Sequence, residues 1–385
     1  MLTQASSSAL LPVYAQLPVR PVRGEGSWLV DDSGQRWLDA YGGHAVAATG
    51  HCHPKVVAAI RAQAESLLFY STILPLPVRE QLASALVAHC PPSLRKVFFV
   101  NSGAEANENA LHLARKVTGR QLFVSIEGGW HGRTAATLAV TDGEKYMAGA
   151  RRAGLPLSVK VPWNDPAALL STVNDSIAGV IVEPVQGLTG ARDLPVELLQ
   201  AARAACDRHG ALLIFDEVQC GVGRCGAFTA AESFGVVPDL LTLAKGLASG
   251  LPISALITSD AVASHIKQGD LGSTFGGGPV PCAAALATLA VIDEEKLIDN
   301  AITVGNFLRQ GALTLGPSKV VATQGRGLLL GLRLPRPAVE VQTALLGHHI
   351  IVGTSSDPSV LRLMPPLSFS RHEAELVLSA LAEVL

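Results

Sequence analysis

From about Val97 to Ser259 the chain repeats one pattern: a short β-branched or aromatic run, then an alanine-rich stretch with helical spacing. The runs are KVFFV, QLFVSI, AGVIVEP, ALLIFDE, LLTLA and ISALITS. They are continuously apolar rather than alternating, as strands are when helices cover both faces of a parallel sheet. This predicts an α/β fold. In such sheets ligands collect at the carboxyl ends of the strands, so the residue after each run is where chemistry is expected.

The 385 residues suffice for two to three lobes, or for one large α/β unit with an appended lobe. Residues 1–50 carry hairpin-like text, GSWLVDDSGQRWLDA. Residues 285–385 open with a helix and continue through GLLLGLRL, IIVGT and VLRLMPP. The two ends are expected to fold together as a smaller α+β lobe against a large domain over 51–284. Thirty basic side chains stand against 32 acidic ones without a run of like charge, so no footprint for nucleic acid or an anionic membrane is visible. No apolar stretch of membrane-spanning length occurs, and no basic segment precedes the apolar patch near the amino terminus. A cytoplasmic protein is expected. Its six cysteines form no C-x-x-C pair and read as reduced thiols. HCH at 51–53 does not read as a metal site, because neighbours in an extended segment point apart and no further ligand cluster is evident.

Three segments carry chemistry. In KVFFV-NSG-AEANENALHLARK a strand turns sharply into a helix. Ser102 and Glu105 have capping-box spacing, and the amides of Gly103 and Ala104 open a helix N-terminus that can hold a phosphate. Alone, the segment reads equally as an ordinary capped helix. At ALLIFDEVQ a buried strand runs into Asp216 and Glu217, and a carboxylate at that depth needs a cationic or hydrogen-bonding partner. GVGRCG, residues 221–226, has the dinucleotide glycine spacing but follows two acids and opens no clear helix, so it reads as a decoy. Between Asp239 and Asp260 the only charge is Lys245. Apolar surroundings lower a lysine's pKa and leave neutral amine able to attack a carbonyl. A Schiff-base lysine, a buried aspartate and a phosphate-ready helix at one sheet edge are what pyridoxal phosphate requires.

In its motifs the chain resembles the class III aminotransferases of the pyridoxal phosphate fold-type I superfamily, and is most similar to acetylornithine and ornithine aminotransferases. NSGAEANENALHLAR, GWHGRT, VEPVQG, LIFDEVQCGVGRCG, LAKGLASGLPISA and GSTFGG occur in family order, with HCHPKVV upstream and LRLMPPL near the end. The resemblance implies a seven-stranded, mostly parallel central sheet. It implies that Lys245 bonds to the cofactor and shuttles a proton, and that Asp216 binds the pyridine nitrogen. Gln219 would bond the ring hydroxyl, Trp130 would stack on the ring, and Gly103 and Ala104 would hold the phosphate. Ser273 and Thr274 would reach the site of a neighbouring subunit, Thr274 at the cofactor and Ser273 beside the substrate, which implies a homodimer. Arg133 and Arg362 would read substrate carboxylates, with Tyr70 as an aromatic contact. His131, beside Trp130, reads as a packing or supporting residue rather than an acid–base group.

The implied reaction passes the ω-amino group of N-acetylornithine, ornithine or a related amino acid to 2-oxoglutarate, as in arginine biosynthesis. Ornithine-type relatives usually carry a glutamate after VEPVQG that neutralises the second arginine; here Leu188 stands in its place. His44 stands where ornithine aminotransferases have a substrate-contacting tyrosine. These departures leave open a 4-aminobutyrate or ω-amino acid:pyruvate aminotransferase, or another class III enzyme. A nicotinamide dehydrogenase would rest on GVGRCG alone.

Overall fold

The computed structural model describes residues 9–385. Seven strands form the central sheet: β1 (Leu94–Val100), β2 (Leu122–Ile126), β3 (Val159–Val161), β4 (Ile177–Val182), β5 (Leu212–Asp216), β6 (Leu240–Leu243) and β7 (Ser254–Ser259). Their order across the sheet is β1-β7-β6-β5-β4-β2-β3. Neighbours from β6 to β3 run parallel, whereas β7 is antiparallel to both β6 and β1. The sheet is therefore mostly parallel with one reversed strand. Only residues 244–253 join β6 to β7. A parallel return needs a crossover of about a dozen residues or more, so this connection is too short for anything but a reversal.

Six of the seven strands fall on the six apolar runs. The exception is β3, the three residues Val-Lys-Val, held by the pairing of Val124 with Val159 and of Ile126 with Val161. Three residues are too few to carry a period, so the sequence does not announce this strand. Strands β4 and β6 are buried at every position, which matches their lack of alternation. The helix Gly103–Thr118 buries Asn107, Ala110, Leu111 and Ala114 along one face and stops at Gly119, which takes the left-handed conformation (φ 72°).

The chain ends meet. Strands Pro21–Glu25, Trp28–Asp31 and Arg36–Asp39 form an antiparallel meander, and Ile350–Ile351 joins its edge, parallel to Arg36–Asp39. The hairpin turn is held by Asp31, whose Oδ1 accepts from Ser33 N (2.9 Å) and Gln35 N (2.9 Å). Glu373 caps the C-terminal helix Arg371–Val384 and accepts from Trp28 Nε1 (2.9 Å), tying that helix to the N-terminal hairpin. A second sheet contains Ala322–Arg326, Leu329–Arg333, Val360–Leu363 and Gly353–Thr354.

Residues 221–226 form turns and open no helix. Buried Arg224 within them donates to the carbonyls of Leu328 (3.1 Å) and Pro365, fastening the central domain to the C-terminal segments. His51 pairs with Asp39 (2.8 Å) and His53 with Glu295 (3.0 Å). Among the described residues no group of three or more His, Cys, Asp or Glu is placed to hold a metal ion, and no helix is long and apolar enough to cross a membrane.

Candidate active site

The carboxyl edge of the sheet delivers a polar residue at the end of four strands. After β1, Ser102 Oγ accepts from Glu105 N (3.2 Å), and Glu105 Oε2 accepts from the amides of Ser102 (2.9 Å) and Asn101 (2.6 Å). The capping box thus occupies its own donors and leaves the N-terminal turn at Gly103 and Ala104 facing the cavity. A Cβ on Gly103 would lie 2.6 Å from Val218 Cγ1. One on Gly132 (φ 132°), in the WHGRT loop, would lie 2.8 Å from Ala104 Cβ. Both glycines permit approaches that a side chain would block.

At the end of β5, Asp216 is 3% exposed. Its Oδ2 accepts from Asn107 Nδ2 (2.7 Å) and lies 2.8 Å from His131 Nδ1, and its Oδ1 accepts from Val218 N (3.1 Å). Asn107 is itself fixed, because its Oδ1 accepts from Thr242 Oγ1 on β6 (2.7 Å). His131 Nδ1 faces a carboxylate and so carries the ring proton, while Nε2 has no partner among the described residues. Three donors hold this carboxylate in one orientation.

After β6, Lys245 opens a short 3₁₀ turn, Lys245–Ala248, with its backbone in the left-handed region (φ 36°). A non-glycine residue there costs on the order of 1 kcal/mol, strain that persists where surrounding structure over-determines it. Ser249, also left-handed (φ 48°), bonds through Oγ to Thr49 N and Oγ1 (2.8 Å each). Burial pushes the Lys245 ammonium below its usual pKa and Arg362 adds to this, with Asp216 and Glu183 opposing. The lowered pKa leaves more of the amine neutral.

Glu183 follows β4 and accepts from Trp130 N (2.7 Å) and Gly187 N (3.1 Å). It braces the loop bearing the indole against the turn at Gly187, where a Cβ would collide with the Gln219 amide. Burial, then Asp216, push its carboxyl up to about 8. Burial does the same for Glu217, up to about 8, although Glu217 accepts from the amides of Ala230 and Ala231. Native pKa values raised above the ordinary 4.5 mean that the folded chain keeps protons which the unfolded chain has released, so stability falls as pH rises from 4.5 to about 8. The melting temperature should therefore be lower at about pH 8.5 than at about pH 6, with a shallower slope in Glu217→Gln. Parallel slopes in the two proteins would contradict this.

Ser102–Ala104, Trp130, Arg133, Asp216, Gln219 and Lys245 line one cavity of about 470 Å³. Trp130 meets Tyr146 edge-to-face (4.6 Å, 85°). The exposed guanidinium of Arg133 lies 5.2 Å from the Trp130 ring centre, 5.8 Å from that of Tyr14 and 5.9 Å from that of Tyr146. Arg362 is 6% exposed and donates to the carbonyls of Thr354 (2.6 Å) and Gly187 (3.0 Å) and to Tyr41 Oη (2.8 Å).

Other expected site residues lie apart from this cavity within the chain. Tyr70 is exposed on the segment after the helix Pro54–Ser66, and its carbonyl accepts from Arg79 (3.4 Å). Ser273 Oγ accepts from Gly276 N (3.0 Å) and lies 3.4 Å from Asn101 Nδ2, while Thr274 is exposed. Sequence reasoning missed Glu183, Asn107, Tyr14 and Tyr41. Glu183 had a signal, as the first residue after a buried run. Asn107 had a fainter one, as a polar residue on a helix's apolar face. Tyr14 and Tyr41 had none.

The family model for class-III aminotransferases matches residues 12–385. The acetylornithine aminotransferase of Nitrosomonas europaea is 40% identical over 98% of both chains. That of Streptomyces coelicolor is 42% identical over 100% of this chain and 95% of the relative. Among solved structures, the ornithine aminotransferase of Toxoplasma gondii superposes with a TM-score of 0.91 at 28% identity, over 98% of this chain and 92% of the other. A pyridoxal phosphate-bound amine transaminase from an uncultivated Pseudomonas species gives a TM-score of 0.88 at 30% identity, over 99% and 97%.

Proposed function

Because this chain belongs to the class-III aminotransferases, its match to their family model running from residue 12 to residue 385, we propose that it moves the ω-amino group of N-acetylornithine, ornithine or a related amino acid to 2-oxoglutarate. The products are a semialdehyde and glutamate. On this reading the protein is a cytoplasmic homodimer serving arginine biosynthesis. The cofactor is pyridoxal phosphate, as in relatives of the family. The donor set suits it: one cavity offers a neutralisable amine, a fixed carboxylate, an aromatic plane, and a helix N-terminus kept open by glycines whose Cβ atoms would fill the space.

When bound, the cofactor supplies an aldehyde carbon that takes up amines and a pyridinium ring that draws electrons from the carbon losing its proton. The rest falls to the chain. Lys245, its pKa lowered by burial, would hold the cofactor through its neutral amine and, when free, would take up and return the substrate's proton at Nζ. Asp216 would hold the ring nitrogen in its protonated form, and Asn107 and His131 keep its carboxylate from turning away. The Gly103 and Ala104 amides would hold the phosphate, Gln219 the ring hydroxyl and Trp130 the ring itself. Arg133 takes the donor's carboxylate and the distal carboxylate of 2-oxoglutarate, and Arg362 takes the carboxylate beside the reacting carbon.

The dimer is supported by an apolar surface that includes Leu68 (68% exposed), Ile73 (79%) and Phe275 (64%), with the Phe69 and Phe275 rings 5.0 Å apart. Tyr70, Ser273 and Thr274 lie in these same two segments. Outside their own cavity, they are available to complete a neighbour's. Phe275→Asp should give a monomer in sedimentation, with specific activity reduced about tenfold or more. A fully active monomer would refute the shared site.

The observation that carries the reading is the convergence of Lys245, Asp216 and the Gly103 helix terminus on one cavity with Arg133 at its wall. Its test is a panel of amines with 2-oxoglutarate or pyruvate as acceptor, following glutamate and alanine. N-acetylornithine or ornithine with 2-oxoglutarate should turn over fastest. Exclusive use of pyruvate would select the ω-amino acid:pyruvate alternative.

A further inference from the structure

Arg362 is a buried cation whose hydrogen-bond partners among the described residues are all neutral. Its Nε, Nη1 and Nη2 all bond neutral oxygens, at Thr354, Gly187 and Tyr41. Among the described residues it forms no ion pair. After Gly187, which accepts from it, the next side chain is Leu188. Glu183 acts on it electrostatically, but that carboxyl is pushed up to about 8 and both its oxygens already accept backbone amides. Burying a guanidinium with no counter-ion costs several kcal/mol, so its neutral partners and any ligand carboxylate matter more than they would at a surface.

The third of those partners is itself held. Tyr41 Oη accepts from Arg362 Nη2 and lies 2.8 Å from His44 Nδ1. Since the phenol has one proton and already accepts from a cation, it donates to Nδ1, which puts the imidazole proton on Nε2. Burial raises the phenol's pKa, so it stays neutral. Partial burial, Arg362 and Lys245 lower that of His44, with Asp39 opposing. The backbone is shaped for this contact: Gly42, Gly43, His44 and Ala45 all have positive φ, of 58°, 57°, 65° and 66°. A Cβ on Gly42 would lie 2.7 Å from the Met364 carbonyl oxygen, so the turn is pressed against the segment that follows the Arg362 strand. Two non-glycine residues held left-handed in succession are strain of the kind that collects at functional sites.

We propose that Tyr41 and His44 take the place of an acid as the cap on Arg362 and determine specificity. They orient the guanidinium without neutralising it, so in the half-reaction with an α-amino or α-keto dicarboxylate this subsite is already set for the carboxylate beside the reacting carbon, whereas the ω-amino donor brings no carboxylate there. Three of the guanidinium's five N–H donors are engaged, which leaves two for that ligand. An acidic cap would have to be displaced before each such ligand bound; a neutral cap stays in place. The inference rests on the function proposed above, with Arg362 as the carboxylate reader.

The test is calorimetric titration of the holoenzyme with glutarate, an unreactive dicarboxylate, alongside KM and kcat for 2-oxoglutarate. Leu188→Glu installs an acid near Arg362 and should weaken glutarate about 10- to 100-fold and raise KM for 2-oxoglutarate to match, with kcat changing far less. Tyr41→Phe removes the cap's hydroxyl and should weaken glutarate about tenfold or more. Glutarate affinity unchanged in both variants, with 2-oxoglutarate still an acceptor, would overturn the cap and leave the proposed function standing. Failure of the wild-type holoenzyme either to bind glutarate or to use 2-oxoglutarate would overturn both.

Discussion

Lys245→Ala should lower turnover by at least about 10²- to 10⁴-fold, the contribution of one positioned proton-transfer group, while the protein still folds and holds its cofactor loosely. Among the described residues Lys245 makes no ion pair that its loss would orphan, and alanine keeps the Cβ and so leaves the left-handed backbone as it is. Borohydride reduction followed by mass spectrometry should find the cofactor attached to the wild-type chain at Lys245 and unattached in the variant. Retained turnover, or attachment elsewhere, would remove Lys245 from the chemistry.

Asp216→Asn comes second in expected effect. The native carboxylate accepts from Asn107, His131 and Val218, so a replacing amide would turn its oxygen toward the Asn107 and His131 donors. Its NH₂ group would then point the other way and favour an unprotonated ring nitrogen, the opposite of what the carboxylate does. A neighbouring opposite charge biases a titrating group by about one to three pKa units, so kcat should fall about 10- to 1,000-fold. Bound-cofactor absorbance titrated against pH should shift with it. A variant with wild-type kcat would separate Asp216 from the ring nitrogen. Because Asn107 and His131 act only through Asp216, Asn107→Ala should move the same titration by less.

The sequence is legible where physical cause is local. Unbroken apolar runs mark strands covered on both faces, and the capping pair Ser102 and Glu105 marks where the next helix begins. Because ligands gather at strand ends, Lys245 and Asp216 stand out in a chain that places each directly after a buried run. Where those signals are short they fail: β3 has three residues, and Glu183 passed unnoticed beside a proline although it occupies the same kind of position.

Partnership across the chain is another matter. Tyr41 meets Arg362 across 321 residues, Asn107 meets Asp216 across 109, and Trp28 meets Glu373 across 345. No spacing or composition encodes such a contact, because each depends on where two separately folded segments come to rest. The sequence by itself determined six of the seven central strands, the helix that offers its N-terminus, and the lysine and aspartate at the sheet edge, since propensity, periodicity and capping act within a few residues. Tertiary structure alone decided that Arg362 would meet a phenol, itself held by an imidazole, rather than a carboxylate. A buried charge takes its character from whatever packing brings within hydrogen-bond reach.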